Sequence, residues 1–336
     1  AATTCLETIS IGDGRGLTLH LFNKDEHYIV LEDKVVIVDE STGRPMPDRS
    51  WEQGLHQLIE IKENVEVSKT RQTIAQITFQ RFFRRYILLS GLTGTVTEVS
   101  REMWKVYGLK VCVIPPNRRN KRKTLPRDCH RILDNKWQAV ANEAIKRATL
   151  GQPVLIGTRS VEASERVYEL LNQALHPNPF TLYLLNARQN AEEADIVAKA
   201  GISGTITIAT NMAGRGTDIK LDDKAKQSGG LHVILTEHHD STRIDRQLIG
   251  RSARQGNAGS FREIVCFNDA ILLSHRSVWQ MIGRWMPTAG LRRWFYNQAI
   301  IVAQRRAQQR QYEIRMNTLK QDNQRQKQIG FIGKLR

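Results

Sequence analysis

Strand-like apolar runs alternate with helical segments through the middle of the chain, and this pattern limits the fold more than any other feature. The strand-like runs are PVLIGT, TLYLLNA, TITIAT, LHVILTE and REIVCF, and the helical segments include QAVANEAIKRAT, VEASERVYELLNQAL and AEEADIVAKAG. Strands that alternate with helices of this length form βαβ units, in which the strands are parallel. The sequence therefore predicts an α/β domain with a parallel sheet over residues 114–268.

The segments before this domain predict mixed structure. YIVLED and KVVIVDE are two short β-branched runs separated by charged residues, which predicts a hairpin or two consecutive strands. Residues 51–86 have a helical pattern, and SGLTGT at 90–95 predicts a loop because Gly and Thr interrupt it. The segment IPPNRRNKRKTLPRD at 114–128 combines prolines with basic residues, which predicts an extended linker.

The C-terminal part predicts one long helix. Residues 291–328 contain neither Gly nor Pro and are rich in Arg and Gln. A narrow apolar stripe runs along this segment and includes Ile300, Ile301, Ala307 and Ile314. We favour a scaffold strut packed against its neighbours, although a basic surface helix can also touch lipid or nucleic acid.

Composition limits the class of protein without identifying its chemistry. The 336 residues suggest about two domains, and 50 Lys+Arg against 34 Asp+Glu give a net charge of +16, which suits an acidic partner such as anionic lipid, nucleic acid or an acidic protein. No apolar run approaches the roughly 20 residues that a membrane helix needs, which favours a soluble or peripheral protein. The absence of an initiator Met suggests a fragment.

The cysteines predict neither a metal site nor a disulfide framework. Cys5, Cys112, Cys129 and Cys266 are scattered without a CxxC pair. We expect four reduced thiols and no metal bound by them.

Polar loops follow three of the predicted strands, where ligands of open parallel sheets bind. In the first loop, Thr158, Arg159 and Ser160 follow PVLIG, and we expect Ser160 to cap the next helix. The second loop, TNMAGRGTDI at 210–219, is more informative.

The glycines of this second loop, Gly214 and Gly216, allow the backbone to approach a phosphate or ribose closely. Arg215 offers a cation, and Asp218 offers a hydrogen-bond acceptor or a contact to metal-bound water. A tight glycine turn with a surface salt bridge is the structural alternative.

The third loop, QLIGRSARQG at 247–256, places Gln247, Arg251 and Arg254 at helical spacing. Because the two arginines are three residues apart, we expect them on one helix face, where two guanidinium groups can clamp a γ-phosphate. An isolated RxxR is normally solvated surface. The pair is informative here because it follows the GRGTD sequence.

TNMAGRGTDI followed by GGLHVILTEHHDSTRIDRQLIGRSARQG resembles motifs V and VI of the SecA family, a branch of the two-lobed superfamily 2 motor ATPases. VIVDESTGRPMPDRSWEQGLHQLIEIKE, QTIAQITFQRFFRRY, LSGLTGT, GQPVLIGTRSVEASE and AQRRAQQRQYEIR also resemble SecA segments, in the SecA order. The resemblance extends from about Tyr28 to about Arg315, which is most of the chain.

This resemblance implies a division of the chain into SecA-type domains. Residues 1–34 would end a preprotein cross-linking domain, and 35–113 would be the returning segment of the first nucleotide-binding lobe, with SGLTGT as its coupling motif. Residues 114–268 would be a RecA-like second nucleotide-binding lobe, and 269–336 part of a helical scaffold domain.

The resemblance also implies roles for the loop residues in binding ATP with Mg²⁺. Gly214, Arg215, Gly216 and Asp218 would form the nucleotide-facing loop. Arg251 and Arg254 would act as arginine fingers toward the γ-phosphate, and Gln247 would be the motif VI glutamine.

Some family features are absent from the sequence. No GxxxxGK[ST] phosphate-binding loop occurs, and we do not assign Asp39 or Glu40 of VIVDE as the acidic catalytic motif. His238, Ile249 and Asn257 stand where SecA usually has Arg, Arg and Asp. The resemblance thus implies an N-terminally truncated SecA that does not hydrolyse ATP alone.

The partners implied by the resemblance are a preprotein substrate, a SecY-type membrane channel, an anionic membrane surface and an upstream first-lobe half. The expected location is the bacterial cytoplasm, peripherally at the inner membrane. A non-catalytic SecA-derived scaffold is the main alternative. A superfamily 2 helicase lobe also fits motifs V and VI, but QGLHQLIEIKE and AQRRAQQRQYEIR argue against it and against nucleic acid as the partner.

Overall fold

The computed structural model describes residues 22–25, 27–38, 45–51, 54–69, 77–174, 180–185, 193–210 and 217–329. The strands in these ranges are β1 Tyr28–Leu31, β2 Lys34–Val38, β3 Pro45–Met46, β4 Lys121–Thr124, β5 Asp128–His130, β6 Val154–Thr158, β7 Thr181–Leu185, β8 Thr205–Thr210, β9 Leu231–Leu235 and β10 Ala258–Cys266. The helices are α1 Leu55–Lys62, α2 Phe79–Phe83, α3 Ser100–Tyr107, α4 Leu133–Thr149, α5 Val161–Ala174, α6 Glu193–Lys199, α7 Asp223–Gln227, α8 Thr242–Ile249, α9 Ala270–Ser274, α10 Val278–Trp285 and α11 Ala289–Ile329.

The described residues form two compact units, and each is described separately. The first unit comprises the described parts of Ala1–Arg71, Asn120–Glu237 and Leu248–Cys266. The second comprises the described parts of Gln72–Arg119, His238–Gln247 and Phe267–Arg336.

The first unit contains a parallel sheet with the strand order β4-β10-β9-β6-β8-β7. Every neighbouring pair in this order is parallel, and β5 pairs with the later part of β10, beyond its pairing with β4. The central strands β6, β8 and β9 are buried along their whole length. The predicted α/β class with a parallel sheet is confirmed.

Helices α4 and α5 cover the sheet with apolar side chains. Val140 and Ala144 of α4 and Leu171 of α5 belong to one core cluster with Ile156 and Ile208 of the sheet. The i, i+4 spacing of Val140 and Ala144 puts both on one face of α4. The burial of this cluster supplies the apolar driving force for this unit.

A buried polar network lies inside the same unit. The Glu143 carboxylate accepts hydrogen bonds from Arg147 Nε at 2.7 Å and from Arg262 Nη1 at 2.6 Å. His232 Nε2 lies 3.7 Å from Glu143 Oε1, and His232 Nδ1 lies 2.7 Å from Ser260 Oγ.

This network shifts the pKa values of its members. Burial, reinforced by Arg147 and Arg262, lowers the pKa of His232 to about 4. Burial alone would raise the pKa of Glu143, but the hydrogen bonds and charges of the two arginines hold it below its usual value. Glu143 is therefore a buried carboxylate whose charge is compensated.

The predicted hairpin is confirmed. Strands β1 and β2 pair antiparallel, and Glu32 and Asp33 form a two-residue turn with φ of +48° and +57°, as a hairpin with right-handed twist favours. The predicted helix over 51–86 is correct only in part. Helix α1 ends at Lys62 and Asn64 has φ of +54°, so the chain turns away from helical geometry there.

The predicted linker at 114–128 is wrong in its second half. Lys121–Thr124 form β4, an edge strand that pairs parallel with Ala258–Phe261 of β10. The strand has no apolar alternation because its side chains are largely exposed. Backbone hydrogen bonds to β10 hold β4 in the sheet. Its charged side chains fit an edge position, because charged edge strands are a common protection against wrong pairing.

The second unit confirms the predicted long helix. The buried face of α11 contains Tyr296, Ala299, Ile300, Ala303 and Ala307, at intervals of three and four residues. Two residues of the predicted stripe, Ile301 and Ile314, are instead exposed because they lie outside this face.

Helix α11 makes polar contacts with α8, α3 and the start of α2 in the second unit. Gln304 Nε2 donates to the His239 carbonyl at 2.9 Å and to Asp245 Oδ2 of α8 at 2.8 Å. Farther along, Arg315 donates two hydrogen bonds to Glu102 of α3. Thr78, at the start of α2, donates to Asp322. The helix is thus tied to α8, α3 and α2 by polar contacts.

None of the helices in the described ranges combines the length and the apolar character needed to cross a membrane.

Candidate functional site

The loop after β8 is described only from Thr217 onward. Gly214, Arg215 and Gly216 lie outside the described residues, so their expected place in the nucleotide-facing loop stays a prediction. Asp218 is described, and its carboxylate is half exposed.

The arginine segment does not continue the helix, and this corrects the expected placement of Arg251 and Arg254 on one helix face. Helix α8 ends at Ile249, and the Arg251 amide donates to the Leu248 carbonyl at 3.0 Å, which tightens the last turn. Ala253 and Gln255 then have φ of +56° and +55°. These two left-handed residues turn the chain so that the arginines lie on a loop.

Two glycines explain how the sheet holds this loop. A side chain at Gly259 of β10 would come within 2.5 Å of the Ala253 amide nitrogen, so the strand and the loop meet backbone to backbone. A side chain at Gly157 of β6 would come within 2.2 Å of Leu248. The absence of both Cβ atoms lets the end of α8 and the following loop pack directly on the sheet.

Asp218 and Arg254 form the charged pair of the site. Arg254 Nη1 donates to Asp218 Oδ1 at 2.7 Å, and Arg254 Nε donates to the Gly250 carbonyl at 3.2 Å. The side chains remain 38% and 49% exposed for Arg254 and Asp218 respectively. The guanidinium is therefore oriented from two sides while part of it still faces solvent.

A cavity of about 310 Å³ adjoins this pair in the first unit. Arg251 and Arg254 line it together with Asp218, Lys220 and Lys226. Four cationic side chains against one carboxylate give the lining a positive charge, which suits an anion such as a phosphate group. The structure thus brings together three of the predicted residues: Asp218, Arg251 and Arg254.

Gln247 lies in the second unit, where it contacts the predicted coupling loop. Gln247 Nε2 donates to Thr95 Oγ1 of SGLTGT at 3.1 Å, and Thr95 is buried. Thr242 Oγ1 of α8 donates to Glu98 at 3.1 Å, and Arg246 forms an ion pair with the same carboxylate. Helix α8 is therefore joined to the SGLTGT loop at Thr95 and to the turn after that loop at Glu98.

Sequence reasoning missed a buried cluster around Asp245 of α8. Asp245 accepts hydrogen bonds from the His239 amide at 2.9 Å and from Gln304, and it lies 2.8 Å from His238 Nδ1 and 2.7 Å from His239 Nδ1. Burial alone would raise the pKa of Asp245, but the two histidines lower it strongly. Two adjacent histidines followed by an acidic residue in the next helix were the available signal.

Ser160 has the capping role that the sequence predicts. The Ala163 amide donates to Ser160 Oγ at 3.1 Å, three residues into the start of α5. This contact supports a structural role for Ser160.

The residues of the cavity fit the phosphate part of a nucleotide better than they fit a metal ion. Arg251 and Arg254 would hold a phosphate, and a bound ATP would supply the phosphoryl group whose negative charge they neutralise. Asp218 already pairs with Arg254. Across the part of the chain that the structure describes, no group of three or more His, Cys, Asp or Glu is arranged to hold a metal ion.

The chain is an α/β protein with a cavity suited to an anion. It has a parallel sheet, a cationic cavity beside the last strands of that sheet, and a long C-terminal helix. Comparison with known families then identifies it. The model of the SecA P-loop domain matches residues 119–228 and 222–292, and the model of the SecA preprotein cross-linking domain matches residues 17–60. The chain belongs to the SecA family.

Individual relatives agree with this assignment. The chain is 47% identical over 328 residues to protein translocase subunit SecA 3 of Magnetococcus marinus, covering 94% of this chain and 48% of the relative. It is 52% identical over 262 residues to protein translocase subunit SecA 2 of Bordetella avium, covering 78% and 39%. The chain spans half or less of the length of these curated relatives.

The second domain of the DEAD-box helicase Mss116p bound to an RNA duplex aligns at 16% identity over 44% of this chain and 54% of that chain. The TM-score of this alignment is 0.35.

Proposed function

We propose that this chain supplies the second nucleotide-binding lobe of an ATP-driven preprotein translocase motor, with Arg251 and Arg254 acting on the γ-phosphate. Membership of the SecA family supports the proposal, and relatives at 47% and 52% identity are named protein translocase subunits. The domain boundaries at residues 34, 113 and 268 are part of the same proposal.

The observation that carries the proposal is the cationic cavity beside Asp218, Arg251 and Arg254. Its guanidinium groups are donors in a planar arrangement that matches phosphate oxygens. Asp218 and the Gly250 carbonyl orient Arg254 before any ligand binds, which reduces the cost of ordering that side chain. In a motor, such arginines stabilise the charge that develops on the transferred phosphoryl group.

A second observation supports an upstream first-lobe half as the partner that provides the phosphate-binding loop. Ile87, Leu88 and Leu92, directly before the TGT of the coupling loop, are more than nine-tenths exposed. Apolar residues that stand consecutively in water are unfavourable and typically mark a surface that another segment covers. A first lobe that takes up this run as a strand would bury it.

The remaining partners follow from the same proposal. A preprotein would be the transported substrate, a SecY-type channel the membrane partner, and an anionic membrane the surface on which the motor works from the cytoplasm. ATP with Mg²⁺ would be the fuel, and the metal ligands would come from the first-lobe half.

The test is ATP hydrolysis by this chain alone and after addition of a polypeptide that carries a first lobe with a GxxxxGK[ST] loop from the same source. We expect turnover only in the mixture. The first-lobe polypeptide alone and a mixture with a Lys→Ala change in its phosphate-binding loop are the controls.

Each outcome discriminates between the functions considered. Turnover in the mixture that rises further with a preprotein supports the motor, whereas turnover stimulated by RNA and not by preprotein would favour a helicase lobe. If the mixture shows no ATP turnover although circular dichroism shows that the chain is folded, the non-catalytic scaffold would be favoured over the motor.

A further inference from the structure

Helix α10 in the second unit has its apolar side turned outward. Val278, Met281, Ile282 and Trp285 are spaced as i, i+3, i+4 and i+7 and therefore share one helix face. All four are exposed, Met281 to 67% and Trp285 to 77%. The usual arrangement of a surface helix is the reverse, with the apolar face buried.

Contacts on the opposite face fix this orientation. Gln280 is buried and its Nε2 donates to the Phe267 carbonyl at 2.7 Å. A side chain at Gly283 would come within 2.6 Å of Phe295 and within 2.7 Å of the Phe267 ring. Only the polar Gln280 and the smallest residue are buried, so the helix cannot turn its apolar face inward without losing these contacts.

The start of α11 extends the exposed apolar surface. Leu291 and Trp294 are exposed, and Trp294 contacts Trp279 of α10 edge to face with ring centroids 5.6 Å apart. We name this surface, formed by Val278, Met281, Ile282, Trp285, Leu291 and Trp294, the α10 patch. It holds two of the six tryptophans of the chain.

All residues with a permanent charge in the sequence segment that carries the α10 patch are arginines. No Asp or Glu occurs from Ala270 to Tyr312, whereas this stretch contains seven arginines. Arg276 and Arg284 are both exposed; Arg276 lies two residues before α10 and Arg284 lies in its last turn. An apolar surface flanked in sequence by arginines complements a surface that is apolar in its interior and negatively charged at its border.

We propose that the α10 patch is a docking surface for an anionic lipid bilayer. Trp285, Met281 and Ile282 enter the boundary between headgroups and acyl chains, while Arg276 and Arg284 contact the lipid phosphates. Tryptophan prefers this interfacial depth because its ring is apolar and its N–H is polar. Helices with an apolar face flanked by arginine bind in the plane of such an interface.

This inference extends the membrane partnership in the proposed function but does not depend on ATP hydrolysis. Its test is therefore made without nucleotide, channel or first-lobe polypeptide. The chain is sedimented with vesicles of pure phosphatidylcholine and with vesicles that contain about one-third phosphatidylglycerol. We expect binding to the anionic vesicles only, weakened by added salt.

Three variants locate the binding surface. Trp285→Glu should lower the partition coefficient by about tenfold or more, because a charge then enters the interface. Arg284→Gln should lower it by about fivefold, since one arginine near an anionic surface is worth that factor. Trp104→Glu changes another exposed tryptophan outside the α10 patch and should leave binding unchanged.

Circular dichroism and the thermal midpoint establish that the variants are folded, and Arg284→Gln tests the proposal even where Trp285→Glu unfolds. Binding that is equal on neutral and anionic vesicles would overturn the proposal. So would equal binding by Arg284→Gln, Trp104→Glu and the unchanged chain, or the absence of vesicle binding. Because ATP turnover is not measured, these outcomes leave the proposed motor function untouched.

Discussion

Two acidic residues of the first unit are each paired with arginine, yet their surroundings differ. Glu143 is buried, and Arg147, Arg262 and His232 surround its carboxylate. Asp218 is half exposed and pairs with Arg254 beside the cavity. The Glu143 carboxylate is itself buried between its partners, whereas Asp218 is half exposed, so that a ligand can take its place beside Arg254.

The difference separates a structural charge from one available for function. Removing one partner of a buried ion pair leaves an uncompensated charge in the interior and is therefore strongly destabilising. An exposed pair contributes little to stability, and its arginine can exchange a carboxylate for a phosphate at low cost. The predictions below test this separation, from the largest expected effect to the smallest.

Arg251→Ala or Arg254→Ala should lower ATP turnover of the motor reconstituted with its first lobe by about 10³-fold or more, because an arginine that neutralises the transition state is lost. The free energy of unfolding should change little. Arg166→Ala, which removes an exposed ion pair to Asp134, is the matched control. Unchanged turnover in both arginine variants would remove their assigned role.

Glu143→Ala should lower the free energy of unfolding by about 3 kcal/mol, because two arginines lose their buried partner. Urea denaturation of the chain measures this. Asp134→Ala on the same helix breaks an exposed pair and should cost less than about 1 kcal/mol. Similar losses in the two variants would mean that burial does not distinguish these carboxylates.

Stability should fall as the pH falls from 6.5 toward 4, because His232 has a folded-state pKa of about 4 against an ordinary value of 6.5. Between these values the unfolded chain binds the extra proton, so acid favours unfolding. The slope from this residue is at most about 1.4 kcal/mol per pH unit. His232→Gln should flatten the profile of unfolding free energy against pH, whereas His275→Gln should retain it.

Asp218→Asn should change the free energy of unfolding by less than about 1 kcal/mol, because both side chains of its ion pair are more than a third exposed. Turnover of the reconstituted motor should still fall, since Arg254 loses an orienting contact. A loss of stability comparable with that of Glu143→Ala would place Asp218 among the structural charges.

The sequence was sufficient to predict the α/β class because short runs of apolar residues indicate buried strands. TITIAT and LHVILTE read as buried strands, and β8 and β9 are fully buried. Lys121–Thr124 could not be found this way, because β4 is defined by backbone hydrogen bonds to β10 and its side chains are mostly in solvent. Pattern reasoning detects apolar faces and misses strands that lack one.

The site residues were predictable, but the geometry of their loop was not. Asp218, Arg251 and Arg254 were selected from resemblance and spacing, and the structure places them around one cavity. The left-handed conformations of Ala253 and Gln255 follow from tertiary packing, with Gly259 opposite Ala253. A three-residue spacing predicts a shared helix face only where the helix continues.

Helix α11 keeps its attachment points in the second unit at fixed distances from one another. It is bound to α8 at Gln304, to α3 at Arg315 and to the start of α2 at Asp322. At 1.5 Å per residue, the first two attachment points are about 16 Å apart along its axis. A hydrogen-bonded helix hardly shortens along its axis. A displacement of α8 along the α11 axis must therefore move α3 and α2 in the same direction and by nearly the same distance, or else break the contact at Gln304, Arg315 or Asp322.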